Sequence, residues 1–219
     1  SFEAGSPVIS PDGRRVVFSV SGSLWVRSLE SMSAQRLPGT ENAVDRFWSP
    51  DSKSIGFFAD SKLKVIDIAG GTPQALADVG TARGGTWNKD GTIVYSPGGQ
   101  GLFSVRTSGG KPVQVTKLDA SRQEIEHMWP DFLPDGRHFL YFARTAVTEN
   151  LAVVISSLDS GQTKQGLSTR ARALFAAPGF LLYLRPSGLL APPIDAQPTL
   201  RLREPVTVTP GVRYLSSNG

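Results

Sequence analysis

The sequence predicts an all-β fold built from repeated four-stranded antiparallel sheets, and three observations lead to this prediction. A turn phrase of the form Ser-Pro-Asp-Gly, followed by an apolar run, recurs along the chain. Its successive aspartates are 39, 39 and 45 residues apart. Each repeat thus contains four short apolar runs. One precedes the phrase, one follows it directly, and two more come later, separated by turn signals. Four strands per repeat of roughly 40 to 50 residues are typical of a β-propeller blade, so we predict a β-propeller.

The turn phrase has clear copies that begin at Ser10, Ser49, Asn88 and Leu133, and a degenerate copy at Ala177. Proline supplies the φ of the second turn position, aspartate suits the third, and glycine accepts positive φ at the fourth. An aspartate here caps its own turn through local backbone hydrogen bonds. We therefore interpret the repeated aspartates as structural and not catalytic. They are Asp12, Asp51, Asp90 and Asp135.

The apolar runs are rich in β-branched and aromatic residues, which indicates strands. The predicted second strands cover 16–20, 55–59, 93–96, 139–143 and 180–184. Third strands are predicted at 24–26, 63–66, 102–105, 151–156 and 189–191, and fourth strands at 35–37, 74–76, 113–115, 165–167 and 206–208. We expect four second-strand rings to be buried between adjacent sheets, namely Phe18, Phe57, Tyr95 and Tyr141. Trp48, Trp87 and Trp129 are expected at matching positions ahead of the turns.

The repeats predict a single domain with five blades, at roughly 5–43, 44–80, 81–120, 121–169 and 170–209. Residues 210–219 resemble the first strand of a sixth blade. A propeller closes by pairing its ends, because an open sheet edge promotes aggregation. We therefore expect six blades in the intact molecule and a chain that is truncated at its C terminus.

A family resemblance follows from these phrases. The Ser-Pro-Asp-Gly turn, followed by Leu-Trp-Val at 24–26 and by Gly-Gly-x-Pro at 70–73, resembles the WD40-like repeat of TolB-type propellers. The resemblance covers essentially the whole chain and implies the propeller fold. Propellers of this sequence type are also similar to the C-terminal extracytoplasmic domains of some bacterial serine/threonine kinases. This similarity implies a non-catalytic binding or sensing module. The alternative is the substrate-gating propeller of a prolyl-oligopeptidase-like serine peptidase whose catalytic domain lies outside this chain.

Composition excludes several classes of partner. The net charge is +4, yet lysine and arginine are scattered with no run of like charges, so we expect no nucleic-acid partner. Cysteine is absent, which excludes disulfides and thiolate metal sites. No apolar run is long enough to span a bilayer, so we expect no membrane segment in this chain. We expect a periplasmic or other extracytoplasmic location, with the cytoplasm as the alternative.

The sequence offers no convincing catalytic site. His127 and His138 are the two histidines available as bases, and no Gly-x-Ser-x-Gly elbow occurs. The glycine-rich stretch 98–101 lacks the Lys-Ser/Thr of a phosphate-binding loop. Glu124, Glu126 and His127 offer metal ligands, but one histidine beside scattered carboxylates is weak support. We therefore expect no enzyme activity, no metal and no cofactor in this chain.

Two insertions and a series of basic residues indicate a binding face. The segments 117–127 and 144–150 are longer than their counterparts, and blade geometry places both on one face, where repeat proteins often bind partners. Basic residues recur just ahead of the first strands, which line the propeller channel. We expect them to form a cationic collar that suits a carboxylate, a phosphate or an acidic peptide. The collar residues are Arg46, Arg83, His127, Arg172 and Arg213. Asp45, Glu124 and Glu126 lie beside them, and pairing with these carboxylates would make the collar an ordinary solvated rim.

Overall fold

The computed structural model describes residues 6–161, 163–185, 187–195 and 201–210. The fold is an all-β propeller of five four-stranded antiparallel blades, as the sequence predicts. The helical elements in the described ranges are two 3-10 turns, Ala120–Arg122 and Thr148–Asn150. None of these described elements has the length and apolar character that a membrane-crossing helix needs.

The chain divides into two compact units, which we call unit 1 (Ser1–Lys117) and unit 2 (Leu118–Gly219). Unit 1 contains blade one, with β1 Val8–Ile9, β2 Arg15–Val20, β3 Ser23–Ser28 and β4 Ala34–Arg36. Blade two has β5 Val44–Trp48, β6 Ser54–Ala59, β7 Lys62–Asp67 and β8 Gln74–Asp78. Blade three has β9 Gly85–Trp87, β10 Thr92–Tyr95, β11 Phe103–Arg106 and β12 Val113–Gln114.

Unit 2 contains the two remaining blades. Blade four has β13 Glu124–Phe132, β14 His138–Thr145, β15 Ala152–Ser157 and β16 Thr163–Ser168. Blade five has β17 Leu174–Ala176, β18 Phe180–Arg185 and β19 Gly188–Ala191, and its outer strand is β22 Val206–Pro210. Between β19 and β22 lies a two-stranded hairpin of β20 Ile194–Asp195 and β21 Arg201–Leu202, which the sequence did not predict. The predicted sixth-blade strand at 210–219 lies almost entirely outside the described residues.

In blades one to four, the first strand enters the second through a hydrogen-bonded turn. Gly13 N–H donates to the Ser10 carbonyl at 2.8 Å, and Ser52 N–H donates to the Ser49 carbonyl at 3.0 Å. The equivalent bonds close the turns that begin at Asn88 and Leu133. In these four turns the fourth residue has positive φ, which glycine tolerates best, but serine adopts φ +61° at position 52.

Side chains complete these turns. Asp12 accepts hydrogen bonds from Ser10 Oγ at 2.5 Å and from Arg14 N–H at 3.0 Å. These bonds, and the one from the Ser10 hydroxyl most of all, lower the pKa of Asp12. Asp51 accepts from Ser49 Oγ and Lys53 N–H in the same way, and Asp135 accepts from the backbone N–H groups of Arg137 and His138. The turn of Asp90 differs, because there the side-chain oxygen Oδ1 of Asn88 accepts hydrogen bonds from the backbone N–H groups of Asp90 and Thr92.

The core of unit 1 lies between successive sheets. Val17 and Leu24 of blade one pack with Ile55 and Phe57 of blade two. On the opposite face of blade two, Phe58 packs with Ile93 and Tyr95 of blade three, together with Phe47. The rings of Phe47 and Phe58 lie 6.2 Å apart and those of Phe58 and Tyr95 lie 6.4 Å apart. Blade two is therefore buried on both faces.

Two glycines make room for the Phe47 ring. A Cβ atom at Gly56 in β6 would lie 2.3 Å from Phe47 Cζ, and one at Gly85 in β9 would lie 2.5 Å from Phe47 Cε1. Real Cβ contacts are not this short, so a side chain at either position would displace the ring. These glycines let the sheets of blades two and three approach around one aromatic side chain.

The core of unit 2 repeats this arrangement with one pair of blades. Leu140, Phe142 and Ile155 of blade four pack against Leu181 and Tyr183 of blade five. Alternate residues of β14 supply this face, as expected for a strand whose successive side chains point to opposite sides.

The expected burial of the second-strand rings is confirmed for Phe57, Tyr95 and Tyr141, which are all buried. Phe18 is only partly buried. The reason is that Val17 faces blade two, whereas Phe18 points to the opposite face of β2, which no other sheet of unit 1 covers.

The expected equivalence of Trp129 with Trp48 and Trp87 is wrong. Trp48 pairs with Ile55 and Trp87 pairs with Ile93, but the residue at this position in blade four is Phe132, which pairs with Phe139. A register shift between Met128 and Asp131 moves Trp129 away from it, and Trp129 has φ +50°.

Replacing Phe57 with alanine should lower the free energy of unfolding by about 3 to 5 kcal/mol, because it removes a fully buried ring between two sheets. Phe18→Ala should cost clearly less, since that ring keeps contact with solvent. Urea unfolding of both variants, followed by circular dichroism, measures the difference. Equal losses would contradict the assignment of the two faces.

Candidate partner-binding surface

The two predicted insertions meet in blade four. β13 has nine residues and β14 has eight, whereas the first and second strands of the other blades have at most six. The pair Glu124 and Thr145 extends the ladder at the end away from the turn. We use the name insertion surface for residues 118–127 and 144–150 of unit 2. Their pairing brings both insertions to the same end of blade four. That this end belongs to a partner-binding face of the propeller stays a prediction.

Reciprocal hydrogen bonds join the two insertions. Arg122 Nη2 donates to the Asn150 carbonyl at 2.7 Å, and Asn150 Nδ2 donates to the Arg122 carbonyl at 3.1 Å. Ala146 N–H donates to the Gln123 carbonyl at 2.9 Å. Arg122 ends the first 3-10 turn and Asn150 ends the second, so each short turn fixes the other. The insertion surface is therefore an ordered structure and not two independent loops.

Glu124 is the polar centre of this surface. Its side chain is almost fully buried and accepts from Asp119 N–H at 2.8 Å and from Arg122 Nε at 3.3 Å. His127 Nε2 lies 2.9 Å from Glu124 Oε2. A buried carboxylate is costly unless it is paired and hydrogen-bonded, and these contacts supply both. Glu124 thus ties the start of β13 to the preceding loop.

His127 lies fully buried beneath this network. Its ring centroid is 4.4 Å from that of Tyr141 on β14. Burial lowers the pKa of His127 below its usual 6.5, and the hydrogen bond and charge of Glu124 partly oppose this shift. Burial also raises the pKa of Tyr141. Near neutral pH, His127 is therefore an uncharged structural residue and not a cation offered to a ligand.

The exposed part of the surface carries mixed chemistry. Ile125 is the extra residue of a β-bulge between Glu124 and Glu126, and it stays partly exposed. Arg144 donates to Glu126 Oε2 at 3.1 Å, with Glu126 buried and the arginine side chain half exposed. Bulges often re-aim a side chain near functional sites. The surface thus presents an apolar residue beside a paired arginine.

The remaining predicted collar residues lie in three places. In unit 1, Arg46 is half-buried and donates to Ser19 Oγ at 3.0 Å and to the Ser6 carbonyl, and burial lowers its pKa. Arg83 is partly exposed on the connection ahead of β9. In unit 2, Arg172 is exposed just ahead of β17. Arg213 lies outside the described residues. Convergence of these side chains around one channel mouth stays a prediction.

Sequence reasoning missed Asp131. Burial raises the pKa of this β13 carboxyl group, while a hydrogen bond from Phe175 N–H at 3.3 Å and the charge of Arg172 partly oppose the shift. Asp131 follows the register shift after Met128, and no repeated phrase marks it. It connects blade four to blade five and gives Arg172 a nearby carboxylate.

The suggested metal ligands do not assemble into a site in the described part of the chain, where no three His, Asp or Glu side chains are grouped to hold an ion. Glu124 and Glu126 are engaged instead by Arg122, His127 and Arg144.

Comparison with known proteins supports the fold. The chain is similar in structure to a putative TolB from Agrobacterium tumefaciens, with a TM-score of 0.65 and 19% identity over 90% of this chain and 72% of that one. TolB from Acinetobacter baumannii gives a TM-score of 0.69 and 13% identity over 93% of this chain and 57% of that one. A prolyl endopeptidase gives a TM-score of 0.58 and 12% identity over 91% of this chain and 36% of that one. These likenesses concern the fold alone. No protein-family model matches the chain, and no curated protein matches its sequence.

The buried state of His127 predicts a pH-dependent stability. Because the folded pKa is lowered, the unfolded chain binds a proton more readily, and the stabilisation that is present above about pH 7 should decrease as the pH falls through 6.5. His127→Gln should remove this component. The difference in unfolding free energy between the native chain and the variant should therefore shrink below about pH 6.5.

Urea unfolding between about pH 5.5 and 8 measures this difference, and Asp131, whose pKa is raised, remains present in both proteins. If the variant does not fold, an NMR titration of the His127 ring should give a midpoint below 6.5. Parallel stability profiles, or a midpoint at or above 6.5, would show that His127 is not held neutral by burial.

Proposed function

We propose that this chain is a non-catalytic binding module that recognises a protein or peptide partner through the insertion surface. The observation that supports this most is the reciprocal bonding of Arg122 and Asn150, which orders two insertions that the blade repeat does not require. Blades one, two and three complete their sheets without such additions. An ordered loop pair lowers the entropy cost of binding, since less has to be fixed when a partner docks.

The surface chemistry favours a protein or peptide over a small polar ligand. Ile125 offers apolar area, and Arg144 and Glu149 on the second insertion offer exposed charges of opposite sign. Protein interfaces combine an apolar centre with a polar rim in this way. The cationic collar belongs to the same proposal: if its arginines converge, an acidic segment of the partner would be preferred over a neutral one.

The setting of the module is also a proposal. The TolB-type repeat suggests an extracytoplasmic sensor region of a bacterial signalling protein, such as a serine/threonine kinase. The fold likeness to two TolB proteins supports the propeller type and leaves the partner open. The gene around this chain distinguishes the settings, since a kinase domain and a membrane span ahead of residue 1 would support the sensor.

A second candidate is supported by the likeness to a prolyl endopeptidase and to puromycin hydrolase. In this alternative the propeller gates substrate access to a hydrolase domain that lies outside this chain. The chain spans 36% and 34% of those proteins. A Gly-x-Ser-x-Gly domain encoded next to this segment would favour it.

Selection from a phage-displayed library of random peptides tests the binding proposal. Peptides selected on the native chain should lose binding to a variant that carries Ile125→Ser and Glu149→Lys, because these changes remove apolar area and invert a charge on the insertion surface. Affinity should fall by about tenfold or more, measured by fluorescence polarisation.

Val113→Ser on β12 is the matched control, since Val113 is an exposed apolar residue of unit 1. It should leave peptide binding unchanged, and both variants should melt like the native chain. Peptides that bind the double variant as tightly as the native chain would refute the insertion surface as the binding site.

A further inference from the structure

The turns of blades one and two contact each other directly. Asp12 N–H donates to Ser52 Oγ at 3.1 Å. Ser52 is the fourth residue of its own turn and is buried, with φ +61°. Its side chain therefore fills the space between the two turns and takes the hydrogen bond of the neighbouring backbone.

The corresponding position in blade three is a glycine. Gly91 N–H closes that turn onto the Asn88 carbonyl at 3.2 Å, as Ser52 N–H closes the turn onto Ser49, and Gly91 has φ +76°. Gly91 has no side chain to fill the space between turns two and three. A cavity of about 370 Å³ lies there, lined by Pro50 and Asp51 of turn two and by Trp87, Lys89 and Gly91 of blade three.

The cavity carries two opposite charges and an apolar wall. Asp51 Oδ1 accepts from Ser49 Oγ at 2.6 Å and from Lys53 N–H at 3.1 Å, and these bonds favour the carboxylate. Lys89 is exposed and forms no ion pair with any residue that the structure describes. Trp87, which is half-buried, and Pro50 supply apolar surface.

We propose that this cavity binds a small zwitterion, a free α-amino acid with an apolar side chain. Its ammonium group would lie against the Asp51 carboxylate, its carboxylate against the Lys89 ammonium, and its side chain against Trp87 and Pro50. The Asp51 carboxylate would repel a simple anion, and the Lys89 ammonium group would repel a simple cation. A wholly apolar molecule would desolvate both charges without replacing their water. The residues all belong to unit 1, so this site shares none with the insertion surface.

The chain supplies its own test variant. Gly91→Ser should reproduce in turn three the arrangement that Ser52 has in turn two. Serine already tolerates this backbone conformation at position 52, and a Cβ at Gly91 would meet only the Thr107 hydroxyl oxygen, at 3.0 Å. The variant should therefore fold, narrow the cavity beside turn two and weaken binding by about tenfold or more.

L-Leucine is the probe, titrated into the 219-residue chain with NMR detection of the Asp51 amide and the Trp87 indole N–H. Saturable shifts at both groups are expected for the native chain, and Lys89→Gln, an exposed change with little risk to folding, should weaken them several-fold. N-Acetyl-L-leucine and L-leucinamide, which each lack one charge, should both bind more weakly than leucine.

Ser52→Gly is the matched control. It opens the space between turns one and two, but the position that Lys89 holds in turn three is Pro11 in turn one and Pro50 in turn two, so no new leucine site should form. Binding at turn three should be unchanged. The proposal fails if the native chain shows no saturable shift, if folded Gly91→Ser or Lys89→Gln binds leucine as well as the native chain, or if either single-charge analogue binds equally.

Discussion

Apolar side chains buried between successive sheets are the interaction on which the rest of this structure depends. A four-stranded sheet with two apolar faces cannot bury both by itself, so each blade needs neighbours. Blade two shows the requirement most clearly, because the adjacent residues Phe57 and Phe58 point to opposite faces of β6 and enter different cores. Phe18 shows the converse, since the face of β2 on which it lies has no covering sheet in unit 1.

Because stacking fixes the strands, the repeat can vary at its turns and connections without loss of the core. Both candidate sites lie at such variations. The insertion surface adds two short 3-10 turns and lengthens β13 and β14. The cavity between turns two and three is lined by a glycine at the position where the neighbouring turn has a serine. Departures from a repeat therefore deserve more functional weight than the residues that the repeat conserves within the chain.

The sequence predicted the propeller, the turns and most strands, because the Ser-Pro-Asp-Gly phrase specifies a turn by backbone preference alone. It failed where tertiary context decides. The position of Trp129 was predicted wrongly because a register shift in β13 changes the number of residues ahead of the turn. The burial of the Phe18 ring was overestimated because it depends on whether another sheet covers that face of β2.

The sequence indicated where the two insertions lie, but not which hydrogen bonds join them. Segment length located the two insertions, yet nothing in the residue types of Arg122 and Asn150 indicated that they would bond to each other across 28 positions. His127 was predicted as a cation of the collar, whereas burial beside Tyr141 lowers its pKa. Such pairings depend on the folded geometry of blade four, which a local pattern does not encode.

Hydrogen–deuterium exchange of the free chain tests most directly whether the insertion surface is ordered before any partner binds. We predict slow exchange at the amides of Asp119, Ala146 and Asn150, whose N–H groups are bonded within the surface. Their protection should be well above that of the exposed amides of residues 110–111. Asn150→Ala should abolish much of this protection while the amides of β14 and β15 stay protected. Exchange of these amides in the native chain as fast as that of residues 110–111 would show that the insertion surface is not ordered before binding.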